Sequence, residues 1–209
     1  MPSEVPQHET PTTIALIGAT PTAEQIASRA LRAGLNVIID DISDARLQAT
    51  SINLHDVVRA QDSCAPGPQD PSDSARYDFS SPDSSVAPAN LLPNLLLTQS
   101  IESAIRNADF LIDTLPDDLE VKLELFTLFD KFAKPNAIFI TTGAIPIDDL
   151  AGITFCPDRC VAVRIVNVTS SSAQTFGLIP SKQASANTLA TCTDLFAQIL
   201  RYPLQTAST

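Results

Sequence analysis

Short continuous apolar runs alternate along this chain with longer segments whose apolar residues recur at the helical period. The short runs are rich in β-branched residues, which is typical of parallel strands buried on both faces of a sheet. The predicted strands span residues 14–17, 37–39, 95–98, 110–114, 137–141 and 160–166. The predicted helices span residues 22–33, 43–60, 101–107, 119–132 and 187–199. This alternation predicts an α/β domain with a mostly parallel sheet in which strands 37–39, 14–17 and 110–112 are adjacent.

Polar residues at the helix ends support these boundaries. Thr22 is predicted to cap the first helix, Gln25 to complete a capping box, and Gly34 to end the helix. The apolar members predicted for the second helix are Leu47, Ile52, Leu54 and Val57.

Two segments lack this patterning. Residues 1–12 are polar and Pro-rich, and we expect them to form a flexible tail. Residues 65–93 are dominated by Pro, Ser and Asp, a composition that buries too little apolar surface to offset the entropy of ordering. We therefore expect an irregular surface insertion within a single domain that spans residues 13–209.

The chain of 209 residues carries a formal net charge of −11. This charge argues against nucleic acid and anionic membrane surfaces as partners. No apolar run approaches the ~18 residues of a membrane-spanning helix, and residues 1–8 do not resemble a secretory signal, so we expect a cytoplasmic protein. The cysteine pair Cys156 and Cys160 has neither the ligand number nor the spacing of a zinc site, and we expect no bound metal.

Residues 13–24 contain the remnant of a G-x-G-x-x-G turn between a strand and a helix. Gly18 stands for the first glycine, which forms the tight bend, and Thr20 replaces the second, which lets backbone approach a pyrophosphate. Asp41 follows the next strand, where an acid binds an adenosine ribose and favours NAD over NADP. This layout predicts a Rossmann-like, doubly wound fold. Thr20 crowds the pyrophosphate and Pro21 removes a backbone N–H, so we expect NAD binding to be weak or absent.

The order and spacing of these segments over residues 14–202, apart from the insertion, resemble the nucleotide-binding half of the 3-hydroxyacyl-CoA dehydrogenases. Residues 108–126 are similar to the family's apolar strand, acidic pair and helix with a cofactor-contacting Lys. Residues 137–147 resemble its Asn-Thr-Ser-Ser segment, and residues 158–167 resemble its His-Phe-Phe-Asn-Pro segment. The candidate cofactor-binding residues are Gly18, Thr20, Asp41, Asp117 and Lys122, and the candidate substrate or ligand residues are Thr142, Gly143, Arg164 and Asn167.

The departures from the family pattern fall on its catalytic positions. The family oxidises a hydroxyl by hydride transfer to NAD while a His, held by a Glu, removes the proton. Arg164 stands at the position of that His, Phe176 at that of the Glu, and Gly143 at that of a substrate-binding Ser. Arg stays protonated near neutral pH and is therefore no general base. We also expect no counterpart of the family's all-helical domain within these 209 residues.

Two hypotheses about function remain open. The residues favour a family member without catalytic residues, which acts as a ligand-binding or interaction module alone, with a protein partner or as a homo-oligomer. The alternative is an NAD-dependent 3-hydroxyacyl-CoA dehydrogenase that uses another base or is completed by a separate helical chain.

Each candidate residue also has a purely structural interpretation. Gly18 serves any tight turn of this kind, and Asp41 is alternatively a solvated acid at a strand end. The other structural alternatives are a surface ion pair for Asp117 and Lys122, an acid partner for Arg164 and a turn cap for Asn167.

Overall fold

The computed structural model describes residues 12–62, 92–167 and 174–200. These residues form a seven-stranded sheet with helices on both faces. The strands are β1 (Thr13–Ile17), β2 (Asn36–Asp40), β3 (Leu95–Thr98), β4 (Phe110–Asp113), β5 (Ile138–Thr141), β6 (Cys160–Asn167) and β7 (Gln174–Pro180). The helices are α1 (Pro21–Arg32), α2 (Asp44–Asp62), α3 (Ile101–Asn107), α4 (Leu119–Phe132), α5 (Ile147–Ala151) and α6 (Ala186–Leu200), with a 3₁₀ turn at Pro157–Arg159.

The strand order is β3-β2-β1-β4-β5-β6-β7, and all neighbouring strands are parallel except β6 and β7. Ile14 of β1 lies opposite Val37 of β2 on one side and Phe110 of β4 on the other. The predicted doubly wound, mostly parallel sheet and the adjacency of its three central strands are confirmed. The order reverses between β1 and β4, and sheets of this kind bind ligands beyond the carboxyl ends of such strands.

Alternation of side chains along the strands divides the core between the two faces of the sheet. Ile14 and Leu16 pack with residues of α1, α2 and α6 on one face. Ala15 and Ile17 pack with residues of α3, α4 and α5 on the other face. Both faces of β1 are therefore covered, which explains why its sequence is continuously apolar.

Helix α1 begins one residue earlier than predicted, and its N-cap lies two residues earlier. Thr20, not Thr22, is the N-cap, because its side chain accepts a hydrogen bond from Ala23 N at 3.2 Å. Pro21 then occupies the first helical position, where its fixed φ fits and a missing N–H costs little. The prediction that Gly34 ends the helix is confirmed, since Gly34 has φ +78° just after the C-cap.

Other differences concern short or amphipathic elements. The prediction missed α5 and the antiparallel strand β7. Leu47 and Leu54 of α2 are buried as predicted, whereas Ile52 and Val57 are exposed at 62% and 38%, so α2 presents a narrower apolar stripe than expected.

Two predictions lie mainly outside the described residues. The flexible tail falls on residues 1–11, and the irregular insertion falls largely on residues 63–91. Within the part of the chain that the structure describes, no helix is both long enough and apolar enough to cross a bilayer.

Candidate functional site

The predicted site residues lie beyond the carboxyl ends of the parallel strands, in two groups. The first group surrounds the β1–α1 turn and the end of β2. Gly18 has φ +104°, a conformation that L side chains rarely adopt. A Cβ at this position would also lie 2.9 Å from Leu115 Cδ2 and 3.3 Å from Thr114 Oγ1. Glycine is therefore required here by both backbone conformation and space.

The first turn of α1 offers few free donors. Thr20 Oγ1 accepts from Ala23 N, the Glu24 amide donates to Thr20 O at 3.0 Å, and Pro21 has no N–H. Among the described residues, this leaves the Thr22 amide as the first-turn donor without a hydrogen bond. The helix start therefore has room for one backbone contact to an anion rather than the several that a glycine-rich turn provides.

Asp41 ties the turn to the end of β2. Its Oδ2 accepts from Ala19 N at 2.9 Å, and its Oδ1 accepts from Ser43 N at 2.8 Å. Arg46 Nη2 lies 2.8 Å from Oδ1, and only 3% of the Asp41 side chain is exposed. Asp41 is therefore an anchor for the turn. Its Oδ1 already has two donors, whereas its Oδ2 has one further lone pair for a ligand hydroxyl.

The neighbouring Asp40 was missed by the sequence reasoning. It is 95% buried, and its Oδ1 has no hydrogen-bond partner among the described residues. Burial, and secondarily the charge of Asp41, raise the pKa of Asp40 to about 6. The available signal was a second acid within an apolar strand, since period-two alternation sends Asp40 to a covered face of the sheet.

The second group lies beyond β4, β5 and β6, and its centre is an ion pair between Lys122 and Asp113. Lys122 Nζ lies 2.6 Å from Asp113 Oδ2, and both side chains are fully buried. Lys122 Nζ also donates to Leu115 O at 3.0 Å, while Asp113 Oδ1 accepts from Leu115 N at 2.9 Å. Thr141 Oγ1 donates to Asp113 Oδ2 at 2.8 Å. Lys122 therefore holds the β4–α4 loop and does not reach the surface.

A second layer of contacts covers Lys122. Both carboxylate oxygens of Asp117 accept from Ala144 N, at 3.0 and 2.9 Å. A Cβ at Gly143 would lie 1.9 Å from Asp117 Oδ1 and 3.0 Å from Lys122 Nζ. The exposed Arg164 donates a long hydrogen bond of 3.5 Å to Ala144 O. The backbone of Ala144 is thus held at its N–H by the Asp117 carboxylate and at its carbonyl by the Arg164 guanidinium, a clamp on this residue.

The remaining ligand candidates have internal roles or undescribed side chains. Thr142 Oγ1 donates to Asp113 O at 3.0 Å. Asn167 is the last residue of β6, and its backbone pairs with Gln174 of β7. The structure thus brings Asp117, Lys122 and Gly143 into contact, with Arg164 at their rim.

The two groups meet at Leu115. Its carbonyl accepts from Lys122, and its side chain is the group that a Cβ at Gly18 would strike. A ligand that crosses the strand ends from Asp41 toward Arg164 would therefore pass over the β4–α4 loop. This is the path expected for a dinucleotide on a sheet of this topology.

Arg164 and Phe176 lie on opposite faces of the β6–β7 pair. Phe176 is opposite position 165 in the register, whereas Arg164 is opposite Gly177. The Phe176 ring packs 5.0 Å from the Phe196 ring of α6, and the Arg29 guanidinium lies over it at 5.6 Å. The two positions therefore do not form a side-chain pair.

Other reactive residues lie apart from these groups. His55 lines an open groove of about 620 Å³ between α2 and β3. Cys156, Cys160 and Cys192 are buried free thiols, and burial raises the pKa of Cys156 to about 11 and those of the other two to about 12. Within the described ranges no cluster of three or more His, Cys, Asp or Glu residues has an arrangement that would hold a metal ion.

Comparison with known proteins agrees with this geometry. L-carnitine dehydrogenase of Burkholderia mallei is 29% identical over 152 residues, which are 71% of this chain and 40% of that protein. L-carnitine dehydrogenase of Pseudomonas putida is 36% identical over 78 residues, 36% of this chain and 24% of that protein. The chain thus spans less than half the length of these curated relatives.

Solved structures share the fold. (S)-3-hydroxybutyryl-CoA dehydrogenase of Ralstonia eutropha superposes with a TM-score of 0.70 at 21% identity, over 96% of this chain and 65% of that one. The sequence profile described as "3-hydroxyacyl-CoA dehydrogenase, NAD binding domain" matches residues 13–209. The chain therefore belongs to the family of the 3-hydroxyacyl-CoA dehydrogenase NAD-binding domain.

Proposed function

We propose that this chain is an NAD(H)-binding member of the family that does not carry out the family's proton transfer and acts as a ligand-binding or interaction module. The observation that carries the proposal is the placement of Arg164 and Phe176. A guanidinium stands where the family has its base, and the position of the orienting acid is filled by a half-buried aromatic ring that packs against the core.

The residues of the β1–α1 turn support nucleotide binding. Gly18 keeps the positive φ that the turn needs, and the Thr22 amide is a free donor at the start of α1. Asp41 lies at the end of β2, where it would accept from adenosine ribose hydroxyls. When bound, the nicotinamide would supply the site with a hydride donor or acceptor. Affinity is expected to be modest, because Thr20 stands where a glycine would admit the pyrophosphate.

The second group supports a positioning role for Lys122. Its ammonium group is buried and satisfied by Asp113 and Leu115. Lys122 therefore fixes the β4–α4 loop from below, and a cofactor would contact the surface that Asp117 and Ala144 form above it. Arg164 is the exposed cation at this rim and would attract an anionic group of a ligand.

A fluorescence titration with NADH tests nucleotide binding. We expect a dissociation constant above the low micromolar range, on the order of 10–500 µM. Gly18→Ala is expected to abolish saturable binding, whereas Gly34→Ala, which has the same backbone strain at the other end of α1 and nothing within 4 Å of its Cβ, is expected to retain it. No saturation at 5 mM NADH (about 3 kcal/mol of binding), or equal behaviour of the two variants, would contradict the proposal.

Thr20→Gly tests the reason given for weak binding. Glycine at an N-cap costs only a few tenths of a kcal/mol relative to threonine, so the helix should persist. We expect NADH affinity to increase about tenfold, equivalent to about 1.4 kcal/mol. Unchanged affinity would show that Thr20 does not limit access of the pyrophosphate.

The absence of proton transfer is tested by NADH oxidation with acetoacetyl-CoA at high protein concentration. General-base catalysis typically contributes about a hundred- to ten-thousand-fold, so we expect a rate close to background. A turnover above about 1 s⁻¹ that Arg164→Ala abolishes would refute the proposal.

A second candidate function is a dehydrogenase that a separate helical chain completes. It is favoured by Gly18, which keeps the positive φ of a nucleotide-binding turn. A co-purifying helical protein that restores turnover of acetoacetyl-CoA in the mixture would support this candidate over the first.

A further inference from the structure

We propose that Asp40 is a proton-sensitive control of nucleotide binding, such that the chain holds NAD more tightly when Asp40 is protonated than when it is ionised. The inference rests on the proposed NAD(H) binding, and it assigns a role to a residue outside the predicted site.

Asp40 is buried within the sheet although it is an acid. It is the last residue of β2 and lies in register with Ile17 of β1 and Thr98 of β3. Its side chain alternates with Ile39 and shares a face with Ile38, which packs in the core cluster that contains α3 and α4. Only 5% of Asp40 is exposed, and Oδ1 has no hydrogen-bond partner among the described residues. An ionised carboxylate in this place is poorly solvated.

The elements packed against Asp40 offer no compensating cation in the described ranges, since Lys122 of α4 is already paired with Asp113. On α3 the buried residues are Ala104 and Ile105. The charged residues of α3, Glu102 and Arg106, are more than half exposed and pair with each other at 2.8 Å. Helix α1, which carries Glu24, Arg29 and Arg32, packs on the opposite face of the sheet.

The strands beside Asp40, β1 and β3, and the loop that follows β2 also provide no cation that would pair with Asp40. Ile17 of β1 is apolar, and the Thr98 hydroxyl of β3 accepts from Ser100 N at 3.0 Å. The next charged groups are Asp41 in the β2–α2 loop, which is negative, and Arg46 in the first turn of α2, which is paired with Asp41. The charge of Asp41 therefore opposes ionisation of Asp40, in addition to the effect of burial.

The backbone carbonyl of Asp40 and the carboxylate of Asp41 hold consecutive residues of the β1–α1 turn. Gly18 N donates to the Asp40 backbone O at 2.8 Å, and Ala19 N donates to Asp41 Oδ2 at 2.9 Å. An anionic pyrophosphate bound at this turn would therefore lie near the end of β2. Loss of the Asp40 proton to solvent places a second negative charge beside Asp41 at this strand end and weakens attraction for the pyrophosphate. With a pKa of about 6, the change occurs between slightly acidic and neutral pH.

The same proton affects folding. The pKa of Asp40 is raised in the folded chain above the value of about 3.9 expected when unfolded, so the folded state binds more protons between these values. The stability that this provides is fully present below about pH 4 and is lost as pH rises through about 6. The Asp40→Asn side chain has nearly the same shape as a protonated aspartate but does not titrate. This variant should therefore not lose stability as pH rises through about 6.

Calorimetric titration with NAD at pH 5.5, 6.5 and 7.5, at constant ionic strength, tests the proposal. We expect the wild type to bind NAD about three- to tenfold more tightly at pH 5.5 than at pH 7.5, a coupling in the usual range between charged groups near a protein surface. Asp40→Asn should bind with the tight affinity at every pH. Asp44→Asn removes an exposed acid of α2 and should retain the wild-type pH dependence.

The outcomes separate this inference from the proposed function. Binding that is independent of pH in the wild type, or equally dependent on pH in Asp40→Asn, overturns the inference and leaves NAD binding intact. No binding at any pH overturns the proposed function and the coupling with it. Urea unfolding of the same variants without NAD tests the ionisation alone. If wild type and Asp40→Asn lose stability in parallel between pH 4 and pH 7, Asp40 does not titrate as argued.

Discussion

Replacement of Lys122 by methionine is predicted to be among the most destabilising single changes in this chain. Methionine keeps most of the apolar stem but removes the ammonium group that lies 2.6 Å from Asp113 Oδ2. The fully buried Asp113 carboxyl would then have only Thr141 and the Leu115 amide as donors. The Leu115 carbonyl would lose its donor as well.

The expected loss of folding free energy follows from the burial of the Lys122–Asp113 ion pair. Removing one partner of a buried ion pair typically costs about 3–5 kcal/mol, because the other charge is left uncompensated. Lys134 provides a matched control, since its ammonium lies 2.7 Å from Asp109 Oδ1 but both side chains are about 40% exposed. An exposed pair of this kind contributes about 0–1 kcal/mol. The two ion pairs therefore have nearly the same distance between nitrogen and oxygen but differ in burial.

Urea denaturation of Lys122→Met, Lys134→Met and wild type is the assay. A loss of about 3–5 kcal/mol is measurable against a total stability of about 5–15 kcal/mol. In the double variant Lys122→Met with Asp113→Asn, we expect recovery of about 2 kcal/mol, because a neutral amide replaces the stranded carboxylate. If Lys122→Met is within 1 kcal/mol (about fivefold in the unfolding equilibrium) of Lys134→Met, the argument from burial is wrong.

Three further predictions concern the turn and the clamp, each measured by urea unfolding. Gly18→Ala should cost at least about 1 kcal/mol more than Gly34→Ala, since both have positive φ but a contact at 2.9 Å adds overpacking only at Gly18; equal costs would refute the steric part. Thr20→Ala should cost about 1 kcal/mol and Thr20→Ser close to nothing, because serine keeps the capping oxygen; a neutral Thr20→Ala would show that the cap is unimportant. Gly143→Ala should cost about 1–3 kcal/mol by displacing the Asp117 carboxylate from the Ala144 amide, and in an Asp117→Ala background most of this cost should disappear, since only the contact with Lys122 Nζ at 3.0 Å would remain.

The fold was largely predictable because each central strand is a short apolar run. Ile14 to Ile17 are covered on both faces, and burial on two faces leaves a sequence signature that does not depend on neighbours. Strand β7 left no such signature, since it pairs on one side only within the described sheet and contains Gly177 and Pro180. Helix α5 has only five residues, which is too short for a helical period to show.

The site was predictable where local spacing determines it. Gly18, Thr20 and Asp41 follow from one turn motif and one strand end, and they do lie together. The burial of Lys122 was not predictable, since charged residues of an amphipathic helix are normally exposed. The clamp on Ala144 depends on contacts between residues 27 positions apart in sequence. Asp40 was overlooked because the motif directs attention to the following acid.

The placement of Phe176 also determines what the residue types of the family pattern would contact at positions 164 and 176. A histidine at 164 and a glutamate at 176 would restore the residue types, but the glutamate would enter the space between Phe196 and Arg29 on the far side of the sheet. Its carboxylate would meet the Arg29 guanidinium rather than an imidazole at 164. The two substitutions together would therefore cost packing between β7 and α6 and would not bring the two side chains together. The faces on which β6 and β7 present these positions thus matter as much as the residue types that occupy them.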